Sequence, residues 1–225
     1  MSESDEDIPT LSVETFAALQ EFYLEQEKKE LDLQEILETG KDSIKFEEHW
    51  QLSQFWYDDA TVSLLSEEIF NVAGENSKIA LISCPTLYKE VKKKCETCEV
   101  ILFEYDKRFA VYGSDFHHYD YKSPLDVPRT FADYFDVVVA DPPFLSEECL
   151  TKTAVTIKFL AKNKIILCTG SVMEELIRRL LNLKKTNFKP QHKNNLANEF
   201  ACYTNFEGKH FLKQKINITV APLLL

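Results

Sequence analysis

The chain has 225 residues, 44% hydrophobic and 28% charged, enough apolar material for one well-buried globular body. No apolar run reaches the ~18 residues of a membrane span, and the acidic start Met1-Ser2-Glu3-Ser4-Asp5 is not a signal peptide, so a cytoplasmic protein without membrane attachment is expected. Formal net charge is −11, and its placement matters: residues 1–50 hold 15 Asp/Glu against 4 Lys/Arg, while the rest holds 22 of each. A body with no basic excess is poorly equipped to neutralise phosphates, so no stable nucleic-acid binding is expected. The acidic extension either steers a basic protein partner or simply solubilises the chain.

Residues 1–10 read as a disordered acidic tail, and 11–73 as a helical extension with an aromatic cluster. A helical pattern starts at Ser12, an N-cap residue type, with Phe16, Leu19 and Tyr23 on one face, and runs to Leu37 before Gly40 breaks it. Phe46, Trp50, Phe55, Trp56 and Tyr57 follow, ahead of an amphipathic helix over 59–72. Trp56 and Tyr57 are candidates for the wall of a substrate pocket, with core packing as the alternative. From 74 to 207 strands alternate with helices, the signature of a parallel sheet. Strands are predicted near 78–83, 100–104, 109–113, 136–140, 164–168, 185–189 and 199–205, and helices near 86–94, 146–161 and 171–182. The expected fold is α/β, a seven-stranded mostly parallel sheet flanked by helices, with an N-terminal helical extension. The stretch 208–225 reads as an atypical tail.

Open α/β sheets bind ligands beyond the carboxyl ends of their central strands, so those ends are the places to look. After the first strand the chain reads Ile82-Ser83-Cys84-Pro85-Thr86-Leu87, with no glycine. Pyrophosphate needs close backbone approach at a helix N-terminus, which argues against such a cofactor. A ligand carrying a carboxylate and an amine is tolerated better, with Cys84, Pro85 and Thr86 against it and the N–H groups of Thr86 and Leu87 as donors. The second strand ends in Glu104-Tyr105-Asp106, where Glu104, or next Asp106, is placed to hold ribose hydroxyls. The third leads into Ser114-Asp115-Phe116.

Val137-Val138-Val139-Ala140 is a strand buried on both faces, and Asp141-Pro142-Pro143-Phe144 ends it. Two prolines cannot donate to a ladder and fix φ near −65°, which makes a stiff extended rim. Asp141 and the Pro142 carbonyl can both accept N–H bonds, and Phe144 adds an aromatic face, a set that suits gripping an amino group. An ordinary strand-ending turn is the bland alternative.

Three strings, Gln54-Phe55-Trp56-Tyr57, Asp141-Pro142-Pro143-Phe144 and Asn194-Asn195-Leu196-Ala197-Asn198-Glu199-Phe200, resemble the eukaryotic lysine methyltransferases of translation elongation factor 1-alpha, a family once labelled adenine-specific DNA methyltransferases. The resemblance covers roughly residues 12 to 207. It implies S-adenosyl-L-methionine as cofactor, a Rossmann-like class I methyltransferase fold with its last strand antiparallel, and a protein substrate, elongation factor 1-alpha. It also implies that Asp115 reaches the adenine amino group, that Phe116 packs on the ring, and that the residues from Asp141 to Phe144 form the catalytic rim. A monomer is expected.

Two readings compete: adenine methylation of DNA or RNA, which wants a basic face, and a non-catalytic methyltransferase-like subunit, suggested by the glycine-free first loop. Six scattered cysteines fit a reduced protein. Cys95-Glu96-Thr97-Cys98 has metal-ligand spacing but no second ligand pair, and His117-His118 point apart on a strand, so no metal is expected.

Overall fold

The structure, a computed structural model, describes residues 54–211 except Asn195 and His210, together with Ser12, 15–17, 19–21, Leu24 and Glu48. The expected tail over 1–10, the helix beyond Leu24, Phe46, Trp50 and residues 212–225 lie outside the described residues. At Ser12 the hydroxyl accepts the N–H of Thr15 at 3.2 Å, and residues 15–17 and 19–21 are helical, as the capping signal predicts.

Seven strands form one sheet: β1 (Lys78–Ile82), β2 (Glu99–Glu104), β3 (Phe116–His118), β4 (Phe135–Ala140), β5 (Ala161–Gly170), β6 (Lys184–Lys185) and β7 (Phe200–Thr204). Their order is β3-β2-β1-β4-β5-β7-β6, with β7 antiparallel to both neighbours and the other pairs parallel. Among the described residues four helices flank it: α1 (Asp59–Ala73), α2 (Tyr88–Lys94), α3 (Glu147–Leu160) and α4 (Glu174–Leu181). Their ends follow from the sequence. Asp58 caps α1 by accepting the Thr61 N–H at 2.7 Å, and Gly74, at φ 77°, ends it in a conformation few side chains tolerate. Ser146 caps α3, whose first turn carries Glu147 and Glu148 at the positive end of the dipole.

The central strands are continuously apolar because helices cover both faces of the sheet. Ile79 and Leu81 of β1, with Val137 and Val139 of β4, pack with Leu65 and Ile69 of α1 and Val91 of α2. The alternate residues Ala80, Ile82, Val138 and Ala140 face Leu150, Ile157 and Leu160 of α3 and Ile177 of α4. Phe103 of β2 is fully buried among the rings of Phe131 and Phe135, each 5.8 Å away by centroid, and His117 at 5.4 Å. Phe103→Ala should therefore cost about 3–5 kcal/mol of stability in a denaturant titration; a loss under about 1 kcal/mol would mean that this side of the sheet is not packed as described.

Three sequence expectations are corrected. The strand predicted over 109–113 is part of a 3₁₀-helical stretch, Lys107–Asp115, with Gly113 at φ 59°. Asp106 starts it by accepting the Arg108 N–H at 3.0 Å, so the apolar residues of Phe109-Ala110-Val111-Tyr112 lie along helical turns and not on strand faces. The strand expected over 185–189 shrinks to the two residues of β6. Cys95 and Cys98 are joined as a disulfide, against the expectation of a wholly reduced set, while the other four cysteines are free and buried. Among the described residues no helix is long and apolar enough to cross a membrane.

Candidate active site

The order of the sheet reverses between β1 and β4, and a cleft of about 450 Å³ opens beyond the carboxyl ends of β1, β2, β3 and β4. That volume is within the ~300–1,000 Å³ common for small-molecule sites. Each strand delivers a different group to it.

From β1 come Ser83, Cys84, Pro85 and Thr86. Ser83 adopts φ 54°, the left-handed conformation usually left to glycine, with its N–H on the Phe103 carbonyl at 2.8 Å. The loop thus makes the glycine-type turn without a glycine. Pro85 opens a 3₁₀ turn in which the Leu87 N–H is spent on the Cys84 carbonyl at 3.1 Å, so Leu87 is not the free donor that the sequence suggested.

From β2 comes Glu104. Its Oε1 accepts the N–H groups of Tyr105 and Asp106 at 3.0 and 3.1 Å, and Oε2 has no hydrogen bond among the described residues. Burial pushes this carboxyl up to about 7, with the two backbone donors and Arg108 pulling the other way. Asp106 stays off the cleft wall. Its carboxylate is buried and committed to Arg108 at 2.6 Å and to Gln54 at 3.4 Å.

The displaced third strand changes which acid reaches the site. Asp115 now precedes β3 and is held by the Tyr88 hydroxyl at 2.8 Å and the Lys92 ammonium at 2.7 Å. Neither Asp115 nor Phe116, which packs against the core, lines the cleft. Tyr119, Asp120, Tyr121 and Lys122 occupy the carboxyl end of β3 instead. A correct strand assignment would have pointed to Asp120.

From β4 come Asp141, Pro142, Pro143 and Phe144, together on the cleft wall. The Asp141 N–H binds the Ile82 carbonyl at 3.0 Å, which continues the ladder past the end of the strand. Burial pushes its carboxyl up to about 7, with the nearby Tyr57 side chain pulling the other way. Phe144 is 41% exposed, and its ring stands edge-on to Tyr121 at 5.8 Å and 61°.

The segment 54–58 completes the site. It is fastened to 191–193 by Asp58 N–H to Gln191 O at 2.9 Å, Lys193 N–H to Trp56 O at 2.8 Å, and a bridge between Tyr57 and His192. Gln54 and Phe55 line the cleft, as do Leu196, Ala197, Asn198 and Phe200, so with Asp141 to Phe144 residues from all three strings that carry the resemblance meet here. Trp56 and Tyr57 do not line it. The Trp56 indole N–H is buried without a hydrogen-bond partner among the described residues, and Tyr57 is buried in the core. Among the described residues no cluster suited to a metal ion occurs.

A nucleoside carrying an amino-acid arm suits these walls. The left-handed turn at Ser83 admits close backbone approach, and the unoccupied oxygen of Glu104 is an acceptor for a diol. The acids Glu104, Asp120 and Asp141 favour a positive charge between them.

A family model described as "Probable N6-adenine methyltransferase" matches residues 48–208. The chain is 51% identical over 214 residues to EEF1A lysine methyltransferase 1 of Mus musculus, covering 92% of this chain and 97% of that one. It is 48% identical over 210 residues to the protein of that name in Homo sapiens, covering 91% and 95%. Protein-lysine N-methyltransferase EFM5 of Saccharomyces cerevisiae is 40% identical over 228 residues, covering 88% and 92%. Among solved structures, the branched-chain polyamine synthase of Thermus thermophilus shares the fold at TM-score 0.56 and 11% identity, over 71% of this chain and 59% of that one. The chain belongs to the family of EEF1A lysine methyltransferase 1, S-adenosyl-L-methionine-dependent protein-lysine N-methyltransferases.

Proposed function

We propose that this protein methylates a lysine of translation elongation factor 1-alpha, with Asp141, Pro142, Pro143 and Phe144 holding the acceptor nitrogen. The observation that carries the reading is Asp141, an ionisable carboxyl on the wall of the cleft that also contains Glu104. The bound cofactor supplies a methyl group on a positively charged sulfur. The chain itself must present an uncharged amine to it, and a lysine ammonium near pKa 10.4 costs about 4–5 kcal/mol to deprotonate at pH 7. Transfer out of water into an aromatic-walled cleft lowers that cost by disfavouring the charged form. Asp141 and the Pro142 carbonyl accept the remaining N–H bonds and fix the direction of the lone pair, a contribution of positioning. Glu104 holds the ribose hydroxyls, and Cys84, Pro85 and Thr86 face the amino-acid arm.

A second reading, adenine methylation, is kept because the matched family model carries that description. Two observations favour lysine. Tyr121 and Phe144 stand at 61°, so a flat base cannot be sandwiched between them, whereas an alkyl stem can pass along both rings. Residues 51–225 also carry no net basic charge for a phosphate backbone. We read the protein as a cytoplasmic monomer, with light scattering as the check on the monomer.

The purified protein would be incubated with donor labelled in its methyl group and, separately, with elongation factor 1-alpha, duplex DNA and RNA. Label in the elongation factor, lost when its lysines are chemically blocked, is expected. Label in nucleic acid instead, or in none of the three, overturns the reading.

A further inference from the structure

We infer that Asp106 and Arg108 are a positioning pair behind the cleft wall: they lock the carboxamide of Gln54 so that its one uncommitted N–H stands beside Glu104, where it meets a ribose hydroxyl of the methyl donor. The place of the ribose rests on the role proposed above for Glu104; the lock on Gln54 does not.

Gln54 is on the wall of the cleft and is only 8% exposed. Its segment is fastened on two sides, by the Trp56 N–H on the Glu48 carboxylate at 2.9 Å and by the pairing with 191–193. The side chain is held from a third side by residues 52 and 54 positions further on. The Arg108 guanidinium donates to Gln54 Oε1 at 3.2 Å, and Gln54 Nε2 donates to Asp106 Oδ2 at 3.4 Å. The amide therefore cannot turn over. A flipped amide would set its NH₂ against a guanidinium and its carbonyl against a carboxylate, two mismatched contacts in a buried place. The pair behind it is rigid as well. Arg108 Nε is 3.1 and 2.8 Å from the two oxygens of buried Asp106, and Nη2 is 2.6 Å from Oδ2. A planar fork on a carboxylate fixes direction as well as distance, and so sets where Gln54 lies.

Asp106 serves two cleft residues at once. Its backbone N–H donates to Glu104 Oε1 at 3.1 Å while its carboxylate holds Gln54, so a residue that does not line the cleft orients two that do. Glu104 keeps Oε2 as an acceptor. Gln54 keeps a donor, since one amide N–H goes to Asp106 and the other has no partner among the described residues. A hydroxyl that gives its hydrogen to Glu104 still has lone pairs, and an N–H beside it can take one. An ammonium has none, so the added donor makes this corner select a hydroxyl over an amine. A role confined to the 3₁₀ turn at Lys107–Asp115 would explain the Arg108 N–H on Asp106 at 3.0 Å. It would not explain why the guanidinium reaches across to Gln54.

Arg108→Met and Arg108→Lys test the lock, the second because lysine keeps Asp106 paired and so protects the fold while lacking the fork. In the unliganded wild type the Nε2 protons of Gln54, followed by nitrogen-15 resonance, should exchange with solvent at least about tenfold slower than those of an exposed glutamine. Both variants should lose that protection. Calorimetry with S-adenosylhomocysteine, the donor less its methyl group, should show about tenfold weaker binding for Gln54→Ala, for Arg108→Met and for the two combined, because the arginine acts through the glutamine. The 2′,3′-dideoxy form of that probe should bind wild type and Gln54→Ala equally within about twofold. Amide protection that survives in both variants overturns the inference, as do losses that multiply in the combined variant or an equal loss with the dideoxy probe. The expected pattern in a protein that labels no elongation factor overturns the lysine reading and upholds this one.

Discussion

Asp141→Asn should reduce methyl transfer about 10²–10³-fold while leaving donor affinity within a few-fold and the fold intact. The size follows from removing one preorganised charged acceptor at the reacting nitrogen. The amide keeps the shape but can present an NH₂ where the amine needs an oxygen. Single-turnover transfer of labelled methyl, beside calorimetry for the donor, separates the two effects. Near-normal turnover in the variant would mean that the acceptor nitrogen is held elsewhere.

The same substitution should make the protein more stable above neutral pH. Asp141 ionises near 3.8 when unperturbed and is pushed up to about 7 by burial in the folded chain. A raised folded value means that the stability present below about pH 4 is lost as pH climbs through 7. The full loss above pH 7 is up to about 4 kcal/mol at 1.36 kcal/mol for each pH unit of displacement. Asparagine carries no such penalty. Its urea midpoint should exceed the wild type's at pH 8 and converge on it only below about pH 4, and a midpoint difference that does not vary with pH would contradict the buried carboxylate. A site that destabilises its own fold in order to act is a known trade-off.

Glu104→Gln should weaken donor binding about 30–150-fold, the equivalent of about 2–3 kcal/mol, with turnover at saturating donor close to wild type. Glutamine retains one carbonyl oxygen, but the charge-assisted part of two hydroxyl contacts is lost. In the wild type the carboxyl is pushed up to about 7 by burial, against its usual 4.5, so it is largely protonated below neutral pH. Donor affinity should therefore drop as pH falls below about 7, approaching tenfold per pH unit, and binding near pH 7 should release a proton into buffer. The glutamine variant should lose both dependences. Isothermal titration in buffers of different ionisation enthalpy measures them together, and a weakening below about threefold, or a variant that keeps the pH dependence, would place the ribose elsewhere.

Particular residues show what a linear reading can reach. Val137 to Ala140 announced β4 because helices cover both faces of the sheet there, which permits an unbroken apolar run. The same local logic put Glu104 and Asp141 on the cleft wall, because an acid at the end of a buried strand lies at the sheet's carboxyl edge whatever the rest of the chain does. It failed at 109–113, where the side chain of Asp106 turned an apolar stretch into a 3₁₀ helix and moved Asp115 to the wrong end of β3. Asp120 and Tyr121 were missed by the same error. Trp56 and Tyr57, read as a pocket wall, are backed away from it because pairing with 191–193 fixes which way that segment faces.

The order of strands and helices, the proline-stiffened end of β4 and the acids at two strand ends were thus determined by sequence alone, since propensity, periodicity and capping act over a few residues. Only tertiary structure decided which acid faces the cleft, that Ser83 makes a glycine's turn, and that the segment with Trp56 and Tyr57 is fastened to residues 191–193 well over a hundred positions further along the chain. Those outcomes depend on desolvation and side-chain direction, which are set by contacts between distant segments and leave no local pattern to read.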